Sequence, residues 1–283
     1  MLTPWVRAVE TLAALKQSCK QEPSGLSALT PVGSAAVTAV LWHIPLSHYS
    51  EKARWALDYK GVEHTRRAPP AGLHQPWALA LTRGRHRRLP ILDLDGRRVA
   101  DSTAIIAALE AAHPEPPLYP TDPRERERAL ALEEFFDEHL APPMRAWTWH
   151  HTLPDPDLII AGVMPNASEG RKRVARATAP IVRPLMRADY DIGADKAADQ
   201  LAQIRAAMDR IEAELQPSGY LVGDAFGVAD LTAAALFTPL IAPPQRPYVP
   251  ATVAPRVLEV REELEARPGG QWVLEMYARH RGR

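Results

Sequence analysis

Hydrophobic and polar positions divide the chain into three zones. From Val40 to about His113 the pattern alternates between strand and helix periods. Val40–Ile44 is a short apolar run of the kind found in buried parallel strands. A helix follows over Ser50–Lys60, with Ala53, Ala56 and Leu57 on one side, and Gly61 stops it. "VEHTRRA" predicts a second strand, and a short helix lies before the next one. "LPILDLDGRRVA" predicts a hairpin, because Asp95-Gly96 suits a two-residue turn with positive φ at both centres. A helix from Ser102 carries Ile105, Ile106 and Leu109 on one face.

After Pro114, Pro116, Pro117, Pro120 and Pro123 the pattern is helical. Pro123 opens a helix whose buried stripe is Leu132, Phe136 and Leu140. Leu201, Ile204, Met208, Ile211 and Leu215 step by three and four. "VADLTAAALFTPL" is apolar nearly all round and predicts a helix inside the bundle. Val257, Val260 and Leu264 mark another helix, which Pro268-Gly269-Gly270 separates from "QWVLEMYARHR". Residues 1–38 read as an extension: a short amphipathic helix bearing Trp5, Val9, Leu12 and Leu15, then a loose linker. The expected division is therefore 1–38 as a flexible extension, 39–115 as an α/β domain, and 116–283 as an all-helical domain.

Composition narrows the function classes. Lys plus Arg and Asp plus Glu number 34 each, so no net field recruits nucleic acid or an acidic membrane. The basic run "RGRHRR" reads as a solvated loop. The one cysteine, Cys19, permits neither an internal disulfide nor a thiolate metal cluster. His139 and His150 share a face, but too few further ligands accompany them for a metal site. Charged residues among the first twenty argue against a secretory signal, and no apolar run has the ~20 residues that span a bilayer. The expectation is a cytoplasmic protein without nucleic-acid or membrane partners.

Three stretches resemble the cytosolic glutathione transferase family. "SHYSEKARWALDYKG" is similar to its first helix, "LPILDLDGRRVADSTAII" to its Leu-Pro, hairpin and acidic-Ser signature, and "YLVGDAFGVADLTAAAL" to the motif opening a central helix of its second domain. The resemblance runs from Val40 to about Arg281. It implies a thioredoxin-like N-terminal domain followed by an all-helical C-terminal domain. It also implies glutathione as co-substrate without a metal, a homodimer, and a small hydrophobic electrophile as second substrate. Gly227 stands where the family carries Ser or Thr, and glycine serves as an N-cap at a cost of a few tenths of a kcal/mol. Asp230, three residues on, can cap in return.

The resemblance also suggests roles. A cis Leu89-Pro90 bond would turn the Leu89 backbone toward the cysteinyl part of glutathione. Asp101 and Ser102 would take the γ-glutamyl end at a helix N-terminus, where unpaired N–H groups suit a carboxylate; alternatively Ser102 caps its own helix. Arg88 would hold the glycine end. Ser47 falls where serine-type members place their active residue, with Tyr49 and Ser50 in reserve; helix capping is the competing role for the serines. A free thiol has a pKa of ~8.5, and a donated hydroxyl hydrogen bond favours the thiolate. With serine at 47 and 50 the turn offers no protein thiol for disulfide exchange. Met144, Trp147, His150 and His151 are candidates for the electrophile pocket, with ordinary bundle packing as the alternative. The expected function is a glutathione-dependent transferase; the competing class is a non-catalytic ligand-binding or interaction protein on the same scaffold.

Overall fold

The computed structural model describes residues 39–282. The expected helix around Trp5, the linker after it and Cys19 lie outside the described residues. The N-terminal part is thioredoxin-like, built around a four-stranded sheet. Its strands are β1 (Ala39–Trp42), β2 (His64–Arg67), β3 (Ile91–Leu94) and β4 (Arg97–Ala100), in the order β2-β1-β3-β4. β1 and β2 run parallel, while β1–β3 and β3–β4 are antiparallel. A parallel pair needs a crossover, and α1 (His48–Tyr59) supplies it. The hairpin is as the sequence predicts: Asp95 and Gly96 have φ of 51° and 80°. α2 (His74–Thr82) precedes β3, and α3 (Ser102–Ala112) follows β4.

The helical part begins with α4 (Pro123–Phe135). A single π-helical turn, Phe136–Leu140, joins it without interruption to α5 (Ala141–Thr152). Pro142 and Pro143 account for this turn. They have no N–H to donate, and the Ala141 N–H reaches back to Phe136 instead of Asp137. Then come α6 (Pro156–Val163), α7 (Glu169–Asp189), α8 (Ala197–Glu214), α9 (Val228–Phe237), α10 (Pro255–Glu265) and α11 (Pro268–His280). Every residue of α9 is buried, as its all-round apolar sequence requires.

Two helix expectations need correction. Leu215 is not part of the α8 stripe; the helix ends at Glu214 and Leu215 is 36% exposed. The break before "QWVLEMYARHR" falls at Ala266-Arg267, and Pro268-Gly269-Gly270 form the first turn of α11, where the N–H that proline lacks would have no helical partner anyway.

The two parts share one hydrophobic core, which includes Leu41, Trp55 and Ile106 together with Phe136, Leu231 and Tyr277. α1 lies at its middle, against α3 on one side and α9 on the other. Its segment from Ser50 to Leu57 is therefore buried on every face, including Glu51, Lys52 and Arg54. These charges are paired within the protein. Arg54 meets Glu51 at 2.8 Å, and Lys52 meets Glu133 at 2.9 Å and Asp137 at 2.6 Å. At the start of α9, Asp230 accepts from the backbone N–H of Gly227 at 2.9 Å and of Leu221 at 2.8 Å, the return cap expected from the sequence. A side chain at Gly227 would put its Cβ 3.1 Å from the Leu118 carbonyl, which already accepts from Val228.

Candidate active site

Residues 44–47 turn the chain from β1 into α1, and side chains from two parts of the protein fix that turn. Arg54 donates to the carbonyls of Ile44 at 3.4 Å and Pro45 at 3.0 Å. Arg246, from the segment after α9, donates to the Leu46 carbonyl at 2.8 Å and to that of Thr238. Three consecutive carbonyls thus each meet a guanidinium. Arg54 also bonds Nδ1 of His43 at 2.7 Å. An arginine only donates, so this nitrogen accepts and the ring is neutral. Burial, reinforced by Arg54, pulls the His43 pKa down to about 3.

Ser47 is the N-cap of α1. Its Oγ accepts from the Ser50 N–H at 3.3 Å, and the side chain is only partly buried. The capping role is therefore real, and it uses an oxygen lone pair while leaving the hydroxyl proton uncommitted. Ser50 is fully buried and its Oγ accepts from the Ile44 N–H at 3.1 Å. Tyr49 donates its hydroxyl to the Asp137 carbonyl at 3.2 Å, and burial raises its pKa well above that of a free phenol. Between Ser47 and Tyr49, His48 is 4% exposed and its Nε2 has no partner; burial, with Arg145 and Arg246 adding to it, holds the ring neutral.

The second edge of the site is the start of α3. Leu89-Pro90 is cis, and the Pro90 carbonyl accepts from the Asp101 N–H at 3.3 Å. Asp101 is the helix cap: its carboxylate accepts from the N–H groups of Thr103 at 2.9 Å and Ala104 at 3.2 Å. Ser102 is therefore not the cap; it is the first helical residue and is 2% exposed. The Lys52 ammonium donates to the Thr103 hydroxyl at 2.8 Å, so α1 meets the start of α3.

Arg88 is engaged with the end of α7. Together with Arg87 it faces the Asp189 carboxylate, at 3.5 Å and 3.1 Å, and Gln75 donates to the other oxygen at 2.8 Å. Its guanidinium also lies 5.5 Å from the Tyr190 ring centre.

The expected pocket wall is corrected in part. Met144 and Trp147 are 0% and 1% exposed and belong to the shared core, so neither offers surface to a ligand. His150 and His151 are half-buried, packed on each other, with His151 also against Trp147. α5, which carries His151, packs against α10. Arg145, one of the two residues between Met144 and Trp147, lies instead over the rings of Tyr49 and Tyr190, 5.9 and 4.7 Å from their centres. The sequence held the clue: at helical spacing, Met144 and Trp147 share the core face and the charge between them must point elsewhere. Arg246 had no comparable signal, because its contact with Leu46 spans 200 residues.

Among the described residues, no group of three or more His, Cys, Asp or Glu side chains could hold a metal ion, and no helix is long and apolar enough to cross a membrane. Residues 41–117 match the model of the glutathione S-transferase N-terminal domain, and residues 175–263 match that of the C-terminal domain. No curated protein matches the chain. Among solved structures, a glutathione S-transferase from Rhodospirillum rubrum is 21% identical with a TM-score of 0.52, over 83% of this chain and 91% of its own. The beta-etherase LigF from Sphingobium is 22% identical with a TM-score of 0.53, over 84% and 98%. Glutathione transferase GSTFuA3 from Phanerochaete chrysosporium is 21% identical with a TM-score of 0.56, over 85% and 96%. These likenesses are of fold.

Proposed function

The chain belongs to the glutathione S-transferase family, and from that premise we propose that it is a glutathione-dependent transferase in which Ser47 stabilises the glutathione thiolate. One observation carries the choice among the three hydroxyls of the turn. Ser47 is the partly exposed one whose proton is uncommitted. The Tyr49 proton is spent on the Asp137 carbonyl, and Ser50 is sealed from solvent.

In this reading Ser47 donates to the sulfur at the N-terminus of α1, where the helix dipole also favours negative charge. Lowering the thiol pKa by one unit requires ~1.4 kcal/mol of preference for the anion, within the range of one charge-assisted hydrogen bond. The Leu89 backbone, beside Pro90, pairs with the cysteinyl part. The N-terminus of α3, which opens at Ser102, takes the γ-glutamyl carboxylate, and Asp101 takes the ammonium. Arg88 takes the glycine end, sharing itself with Asp189. The thiol proton leaves to solvent. The sulfur then forms a bond to the electrophilic carbon, and the leaving group departs with the electron pair of the bond it loses. The reading includes a homodimer, as the family resemblance suggests, acting in the cytoplasm, as the charge pattern suggests.

The test is ultraviolet difference spectroscopy of bound glutathione at neutral pH. A thiolate band present in the wild type and in Tyr49→Phe, and absent in Ser47→Ala, is the expected result. Binding without any thiolate band would favour a carrier, and no binding would remove the reading.

A further inference from the structure

Arg145 is a cation without a counterion. Its Nε is buried with no hydrogen-bond partner, and among the described residues its guanidinium reaches no carboxylate. Removing a charge from water is costly unless it is paired and hydrogen-bonded. Burial accordingly lowers the Arg145 pKa, although arginine remains charged. The neighbouring groups do not relieve it. Asp189, the carboxylate felt at Arg145, is already held by Gln75, Arg87 and Arg88. Asp137, near Tyr49, is held by Lys52 and Thr103. His48 is neutral, and its buried Nε2 is itself without a partner.

What Arg145 does have is two aromatic faces, those of Tyr49 and Tyr190. A guanidinium over a ring is held by the ring's negative face while its N–H edge stays available to an acceptor. Tyr49 stands in the first turn of α1, which Ser47 caps, so Arg145 lies beside that first turn.

We propose that Arg145 is the anion-recognition residue of the electrophile pocket, and that the second substrate of this protein carries a carboxylate. This rests on the glutathione-transferase reading above. One unpaired cation matches one monoanion, and the guanidinium fork matches the two oxygens of a carboxylate. The neutral hydrophobic electrophile expected from the resemblance gives way to an amphiphilic one, with an apolar body against the tyrosine rings and a carboxylate on Arg145.

The experiment compares 4-chloro-3,5-dinitrobenzoate with its methyl ester as acceptors of the glutathione sulfur, in the wild type, Arg145→Gln and Arg145→Lys. The acid-to-ester ratio of kcat/KM cancels any general loss of fold or rate. The wild type should prefer the acid. The ratio should fall about ten- to a hundred-fold in Arg145→Gln, the loss of one charge-assisted bond, and recover in part in Arg145→Lys. The ester activates the ring more than the carboxylate does, so each rate is divided by that of the uncatalysed reaction with glutathione; equal use of acid and ester by the wild type on that scale overturns the proposal, as does a ratio unchanged by Arg145→Gln. So does a variant that loses the thiolate band and leaves the ratio alone, since Arg145 would then serve the sulfur.

A second measurement needs no turnover. Calorimetric titration with 3,5-dinitrobenzoate, which has no leaving group, should show saturable binding to glutathione-loaded wild type and none to Arg145→Gln; no binding to the wild type overturns the proposal. Failure of the wild type to bind glutathione removes the parent reading instead, and the same titration without glutathione then reads Arg145 by itself.

Discussion

The hydroxyl of Tyr49 donates to the backbone carbonyl of Asp137, 88 residues away. That carbonyl is open because the N–H of Ala141 goes to Phe136 and Pro142 has none to give. A proline pair in the helical part thus creates an acceptor, and the first turn of α1 supplies its donor. Tyr49→Phe should lower unfolding free energy by about 0.5–1.5 kcal/mol, the net value of one such bond, measured by urea denaturation. The thiolate band of bound glutathione should persist. Its loss in this variant would move the catalytic role from Ser47 to Tyr49.

Lys52 is fully buried between Glu133 and Asp137, with Thr103 as a third partner. Replacing it with methionine leaves two carboxylates without their cation. The expected destabilisation is about 3–5 kcal/mol. Glu133→Gln and Asp137→Asn added to Lys52→Met should restore part of it, since the stranded charges are then gone. If the triple variant is no more stable than the single one, the charge argument is wrong.

Arg246 is 5% exposed and donates to the Leu46 and Thr238 carbonyls. Arg246→Met should cost about 1–3 kcal/mol by leaving acceptors unpaired. It should also raise the pKa of bound glutathione, because the residue before Ser47 loses its anchor. A thiolate titration identical to wild type would show that the turn holds its shape without this arginine.

Stability should depend on pH through His43. Its pKa is about 3 in the folded protein and 6.5 when unfolded. Between these values the unfolded chain binds the extra proton, so stability rises with pH. The contribution is complete above 6.5 and is lost as pH falls toward 3. His48, also held neutral, acts in the same direction. His43→Gln keeps an acceptor for Arg54 and removes one titrating group. Unfolding free energies measured from pH 4 to 7 should therefore show a shallower slope, reduced by up to about 1.4 kcal/mol per pH unit. An unaltered slope would rule His43 out.

Local pattern carried the elements well where one period dominates. The Asp95-Gly96 hairpin, the Leu132–Phe136–Leu140 stripe and the largely apolar α9 are readable because backbone and burial agree there. The glycines after Pro268 misled because first-turn positions tolerate what interiors do not. At the site, the turn at Ser47 was legible from capping chemistry, whereas the cap of α3 proved to be Asp101 and not Ser102. Arg145, Arg246 and Asp189 were not assigned, because each acts on residues far along the chain. Whether Tyr49 has a free proton depends on a carbonyl in another helix, which no local window contains.

The arginine grip on the turn at residues 44–46 has a consequence for recombination. Two of its carbonyls are held from within the α/β part, and the third by a side chain 200 residues downstream. A chimera that joins this α/β part to a helical part with no arginine at the place of Arg246 would inherit Ser47 but leave the Leu46 carbonyl without its anchor. The interchangeable unit is therefore the α/β part together with the segment carrying Arg246, and a graft lacking that segment should come out folded and catalytically slack.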